Sequence, residues 1–208
     1  MYIPEHFREA DTGTLQDLIQ QRSFGTLVTV DEDGPVANHM PFVLDRSRGE
    51  RGVLQCHVAR RNPVWQALAN NPGALILFQG PDAYISPNWY PSKQETGKAV
   101  PTWNYIAVHA RGRARIMDDP EWLLHHLNHL TDQHERTQSA PWQVADAPGD
   151  YIEKMMGAIV GIEIPISTLT GKWKASQNQP DGNRQGVIRG LHDQQEANAN
   201  AMANWVSR

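Results

Sequence analysis

Two adjacent arginines in "CHVARRNPVW", residues 56–65, are the strongest candidates for anion binding in this 208-residue chain. The apolar run before them predicts a strand, and Asn62 followed by Pro63 predicts the start of a short helix. Arg60 and Arg61 therefore stand where free backbone N–H groups and a helix dipole favour negative charge. Paired guanidinium groups add charge-assisted hydrogen bonds to phosphate. The alternative is that both arginines are solvated or pair with a surface carboxylate.

A second candidate segment is rich in aromatic residues. Residues 84–105, "YISPNWYPSKQETGKAVPTWNY", contain two of the seven tryptophans and three of the five tyrosines. Their proline content predicts a loop rather than a helix. At its end, Trp103 could stack on a planar heterocycle while Asn104 hydrogen-bonds the polar rim of that ring. The alternative is that the aromatic side chains pack an oligomer interface.

A third cluster lies in "GKWKASQNQP", residues 171–180. Lys172 and Lys174 share one face of a predicted extended segment, and Ser176 and Gln177 follow as uncharged hydrogen-bonding groups. These types suit a ring edge or a phosphate. Lysines that alternate along an edge strand also protect against aggregation, so the pattern alone supports both interpretations.

The histidines raise the possibility of a metal site, and the helical pattern argues against it. His125 and His129 are four residues apart on a predicted helix, but they project away from the stripe of Leu123, Leu127 and Leu130. No HExxH pattern and no third ligand accompany them, so we expect no metal. His39 lies inside a strand, where a pocket role and an ordinary cross-strand contact are equally compatible with the sequence.

Composition and missing motifs exclude several classes of protein. The net charge of −4, with dispersed Lys and Arg, gives no electrostatic footprint for DNA. GxSxG, P-loop and GxGxxG motifs are missing, which removes the main support for hydrolase, P-loop and Rossmann functions. A single cysteine, a polar start and no apolar run of membrane-spanning length lead us to expect a cytoplasmic protein.

The elements that must position these residues form one α+β domain over residues 1–208, with a helical insertion around 120–156 and a C-terminal tail from about 192. Six main strands are predicted, at 24–30, 35–45, 52–59, 74–80, 82–86 and 102–117. Shorter β-like runs follow at 158–167 and 169–176. Helices are predicted at 12–23, 63–70, 120–135 and 149–157, with a last one in the tail.

Seven strings along nearly the whole chain resemble the PaiB-like family of FMN-binding negative transcriptional regulators. They are "MYIPEHF" at the start, "NHMPF" at 38–42, "HVARRNPVW" at 57–65, "YISPNWY" at 84–90, "VPTWNY" at 100–105, "KASQN" at 174–178 and "GVIRGL" at 186–191. The resemblance implies a six-stranded antiparallel FMN-binding split barrel with peripheral helices, similar to pyridoxamine-phosphate oxidases. It also implies a homodimer with FMN at the subunit interface.

The resemblance further implies three sets of cofactor-binding residues. In "HVARRN", Arg60, Arg61 and Asn62 would bind the phosphate, and His57 and Ala59 are further cofactor-binding residues of the same segment. The isoalloxazine ring would lie near Asn38, His39 and Met40, against Trp103 and Asn104 of the partner subunit. Lys174, Ser176 and Gln177 would close the site.

Two functions follow from the resemblance. The first is an FMN-binding dimer with a regulatory role, in which flavin occupancy or redox state is the signal; direct DNA binding lacks support because no basic recognition helix or arm is present. The alternative is an FMN-dependent oxidoreductase for a small substrate, with His39, Tyr105 or Lys174 on the substrate side. A dimeric scaffold that has lost flavin is a third possibility. Whether the protein is an enzyme stays open at this stage.

Overall fold

Nine strands and seven α-helices form along the chain, of which the computed structural model describes all residues from Met1 to Arg208. The strands are β1 (Arg8–Glu9), β2 (Phe24–Asp31), β3 (Gly34–Pro41), β4 (Val43–Asp45), β5 (Val53–Ala59), β6 (Gly73–Ile85), β7 (Thr102–Arg113), β8 (Arg115–Met117) and β9 (Ile159–Lys174). The helices are α1 (Thr12–Gln21), α2 (Val64–Asn70), α3 (Pro91–Thr96), α4 (Pro120–Glu135), α5 (Gly149–Gly157), α6 (Asp181–Asp193) and α7 (Ala197–Val206). None of the helices combines the length and apolar character needed to cross a bilayer.

The predicted α+β class with an antiparallel sheet is confirmed, but the predicted strand count is wrong. Nine strands, not six, pair in the order β3-β2-β6-β7-β9-β5-β4, with β1 and β8 also pairing with β9, and the sheet is not closed. The runs at 74–80 and 82–86 form one strand, β6, and the two β-like runs near 158–176 form β9. Pro81 lies inside β6, at the position where the sequence pattern predicted a break between two strands.

The chain divides into two compact units. The first unit comprises residues 1–11, 79–108 and 170–208, and the second comprises residues 12–78 and 109–169. The single domain expected from the sequence stays a prediction.

The second unit contains the β2–β3 hairpin and the paired strands β5 and β9. In the hairpin, Phe24 pairs with Pro41 and Asp31 pairs with Gly34, whose φ of +119° is a conformation that glycine adopts readily. Alternate side chains of β2 face the interior, as the period of two in a half-buried strand requires. The fully buried side chains of the second unit include Leu27, Leu54, Ile76, Ile162 and Ile164.

The first unit contains α6 and α7. It also contains residues 84–105, for which the prediction of a loop without a helix is wrong. This segment forms a 3-10 turn, Pro87–Trp89, and then α3, because proline fits the first turn of a helix, where its missing N–H costs no hydrogen bond. Helix α6 lies against the turn. A Cβ atom at Gly186 would fall 1.9 Å from the carbonyl oxygen of Trp89, so this close approach requires glycine.

Candidate functional site

Arg60, the first arginine of the predicted phosphate junction, is held by groups of the second unit. Its two terminal nitrogens donate to the two carboxylate oxygens of Asp118, and this pairing lowers the pKa of that carboxyl. Its Nε and Nη2 also donate to the carbonyl oxygens of Gly157 and Ile159, each at 2.9 Å. Four donor contacts bind Arg60 to other groups of the protein. Its phosphate role stays a prediction, and it requires the ion pair with Asp118 to break.

Arg61 and Asn62 have different surroundings. The Arg61 side chain is exposed and makes no hydrogen bond or ion pair, so its guanidinium is available to a ligand. Asn62 donates from Nδ2 to Oδ1 of Asn38 at 2.9 Å, and its own Oδ1 accepts the backbone N–H of Val64 at 3.0 Å. A predicted phosphate residue and a predicted ring residue are thus brought together.

Asn38 and Asn62 line a groove of about 810 Å³ in the second unit, between the β2–β3 hairpin and α2. The volume lies within the ordinary range of small-molecule sites. Val30 and Val36 supply apolar lining, and the hairpin tip, residues 31–33, adds three acidic side chains at the groove. The groove therefore offers apolar side chains, amide groups and an acidic end that disfavours anions.

The other predicted residues of the second unit do not line this groove. His39 Nδ1 lies 3.0 Å from Oγ1 of its cross-strand neighbour Thr26, which is the ordinary contact considered as the alternative. Met40 is buried in the core, and Ala59 is exposed at the end of β5. His57 contacts another histidine, His126.

That histidine pair was missed by the sequence analysis. His57 Nδ1 lies 3.0 Å from His126 Nε2, and the Trp122 ring stacks on His126 with an interplanar angle of 16°. His126 is fully buried, and its burial, with the nearby histidines as smaller contributions, lowers its pKa to about 3. Its position three residues after Leu123 was the available signal, because it places His126 on the apolar stripe. His125 and His129 are exposed, as the helical pattern predicts.

In the first unit, three predicted residues meet at one pocket. Asn104, Lys174 and Ser176 line a cavity of about 330 Å³, and Asn104 Nδ2 donates to Ser176 Oγ at 2.9 Å. Lys174 Nζ donates to Oγ1 of Thr102 and to the carbonyl oxygen of Trp103. Two further pocket residues, Ser92 and Lys98, were not predicted, because they lie in the middle of the segment 84–105, for which the sequence predicted only a loop.

Two predicted residues next to this pocket do not line it. The Trp103 side chain is 55% exposed and meets the Tyr84 ring edge-on, with ring centroids 6.0 Å apart. Gln177 folds back on its own segment, accepting from the backbone of Ala175 and donating to the carbonyl oxygen of Trp173. An exposed indole at this position is available for stacking on a planar ring.

The fold is shared with solved flavin proteins. The FAD and heme binding protein from Mycobacterium smegmatis matches with a TM-score of 0.59 at 18% identity, covering 80% of this chain and 73% of that chain. The flavocytochrome Anf3 from Azotobacter vinelandii matches with a TM-score of 0.58 at 13% identity, covering 83% of this chain and 72% of that chain. The chain therefore has the fold of these flavin-containing proteins.

Sequence comparisons identify the family within this class. The family model described as "Putative FMN-binding domain" matches residues 1–168. The Bacillus subtilis (strain 168) protein named "Protease synthase and sporulation protein PAI 2" is 32% identical over 206 residues, covering 99% of this chain and 96% of that protein. The chain belongs to this FMN-binding family, which confirms the PaiB-like resemblance and supports FMN as the cofactor.

Proposed function

We propose that the chain binds FMN as a cytoplasmic homodimer with flavin at the subunit interface, and that flavin occupancy or redox state carries a regulatory signal. One observation supports the proposed location of the FMN site. The Asn38–Asn62 hydrogen bond joins the predicted ring segment to the predicted phosphate segment at one groove, and the residue before Asn62 is Arg61, whose guanidinium is unpaired. Membership of the family supplies the identity of the cofactor.

The residues of the groove fit a flavin mononucleotide. The apolar side chains of Val30 and Val36 suit a planar ring, and the amides of Asn38 and Asn62 suit its polar rim. The acidic hairpin tip disfavours phosphate, so we place the phosphate towards Arg61. Bound FMN would supply the capacity for hydride or electron transfer, while the chain binds and orients it.

The phosphate assignment gives a direct prediction. Arg61→Ala is expected to weaken FMN binding about tenfold, or ~1.4 kcal/mol, because a charge-assisted contact is lost. Riboflavin binding should change little, because riboflavin lacks the phosphate. Both affinities are measured by titrating flavin fluorescence, with Arg22→Ala as the matched control because Arg22 is also exposed and its side chain has no partner. An equal loss of FMN and riboflavin affinity would contradict the assignment.

The second candidate is an FMN-dependent oxidoreductase acting on a small substrate. Its support is the pocket of about 330 Å³ in the first unit, which offers ligand space and contains Lys174, a predicted substrate-side group. The experiment runs NAD(P)H-dependent reduction of the bound flavin beside a gel shift on the promoter of the protein's own gene. A gel shift that depends on flavin supports the regulatory role. Turnover of reduced nicotinamide without a shift supports the enzyme.

A further inference from the structure

The lining of the pocket in the first unit carries positive charges and no negative charge. It contains the ammonium groups of Lys98 and Lys174 and no carboxylate. Lys98 is exposed, and its side chain makes no hydrogen bond or ion pair. Burial, and to a smaller extent the charge of Lys172, lowers the pKa of Lys174. An anion in this pocket would meet two cations that no protein group neutralises.

The neutral groups of the pocket are arranged to donate hydrogen bonds. Ser176 Oγ accepts from Asn104 Nδ2 at 2.9 Å, and Ser92 Oγ accepts from Asn183 Nδ2 at 2.9 Å. Neither hydroxyl has a protein acceptor for its own hydrogen, because no other side-chain contact involves either oxygen. Each serine is therefore oriented by an amide and keeps one O–H free for a ligand.

Ser176 has a backbone conformation in which glycine would be favoured over serine. Ser176 has a φ of +63°, in the left-handed region that favours glycine, and it is only 4% exposed. Its partner Asn104 is 1% exposed. A strained, buried serine held by a buried amide is typical of a site where the hydroxyl has a function.

We propose that this pocket is an oxyanion site, built for the phosphate or carboxylate group of a bound ligand. Two lysines without counter-ions and two free hydroxyl hydrogens are complementary to such a group, and the volume of about 330 Å³ accommodates a small ligand. The pocket shares no lining residue with the groove proposed for FMN. The oxyanion has two possible sources: a separate small anionic ligand, or the phosphate of FMN itself, in which case the placement of that phosphate towards Arg61 would be wrong.

The test is a calorimetric titration of the full-length protein with inorganic phosphate, performed without flavin and again with saturating FMN. We expect one phosphate site, weakened about fivefold or more by Lys98→Gln, because one of two cations is removed. Ser176→Ala should also weaken it, with thermal unfolding recorded because that change leaves Asn104 without its acceptor. The matched control is Lys93→Gln, on the same segment but outside the pocket lining.

The two flavin conditions identify the source. If phosphate still binds to FMN-saturated protein, the site takes a separate anion. If FMN abolishes phosphate binding, and Lys98→Gln weakens FMN but not riboflavin, the site takes the phosphate of FMN; both results support an oxyanion site. No phosphate binding to flavin-free protein, or binding that Lys98→Gln leaves unchanged, would overturn it. Protein that binds phosphate through Lys98 but takes up no flavin would refute only the proposed FMN function.

Discussion

Replacing Glu163 by alanine is expected to lower the free energy of unfolding by about 2–4 kcal/mol. Glu163 is 3% exposed, and its two oxygens accept from the guanidinium of Arg48 at 2.6 and 2.9 Å. Its Oε2 also accepts from the buried amide of Gln55 at 3.3 Å. The hydrogen bonds from Arg48 are the largest cause of the lowered pKa of Glu163. Alanine would leave the Gln55 amide buried without its acceptor.

The control for this change is an exposed ion pair in the same unit. Asp17 accepts from Arg46 at 2.6 Å, and the Asp17 side chain is 60% exposed. Asp17→Ala should cost no more than about 1 kcal/mol, because water screens exposed pairs. Urea unfolding monitored by circular dichroism measures both variants. Equal losses would show that the buried carboxylate cluster is not a major source of stability in the second unit.

Acidification from pH 7 to pH 5 is expected to destabilise the protein by about 2 kcal/mol through His126 alone. In the folded protein burial lowers the pKa of His126 to about 3, whereas in the unfolded chain it returns to its ordinary value near 6.5. Between pH 7 and pH 5 the unfolded state binds more protons than the folded state, so the free energy of unfolding falls as the pH falls. The contribution is complete above the unfolded pKa and is lost progressively below it.

The variant His126→Gln keeps a polar partner for His57 and removes the titrating ring. We expect its unfolding free energy to depend less on pH between 7 and 5 than that of the natural protein. The matched control is His125→Gln, which changes an exposed residue on the same helix and should retain the full dependence. Urea unfolding at several pH values measures the slopes. Equal slopes for all three proteins would refute the assignment to His126.

Elements with strong local patterns were predicted well from the sequence. Helices α1, α4 and α5 and the β2–β3 hairpin have clear periodicity and clear start or turn signals, and they form where predicted. Helix α6 was missed because its three glycines, Gly182, Gly186 and Gly190, disfavour a helix locally. Two of them are required by the close approach of Trp89, a tertiary contact that no local pattern reveals.

For the candidate site, too, residue types could be recognised from the sequence, whereas tertiary contacts could not. The sequence singled out Asn38 and Asn62 of the groove and Asn104, Lys174 and Ser176 of the pocket by their residue chemistry, and their role in binding flavin stays a prediction. It could not identify which side chains are already engaged. The pairing of Arg60 with Asp118 and of Asn38 with Asn62 joins residues far apart in sequence, and both contacts form only when the second unit folds. Arg61 emerges as the free cation only once these pairings are known.

The most direct test of the account measures the flavin content of the purified protein. The visible spectrum is recorded, bound flavin is released by heat and identified, and its amount is compared with the concentration of protein chains. We expect FMN at one molecule per chain, or uptake to that ratio when FMN is added. A colourless protein that takes up no added FMN would contradict it.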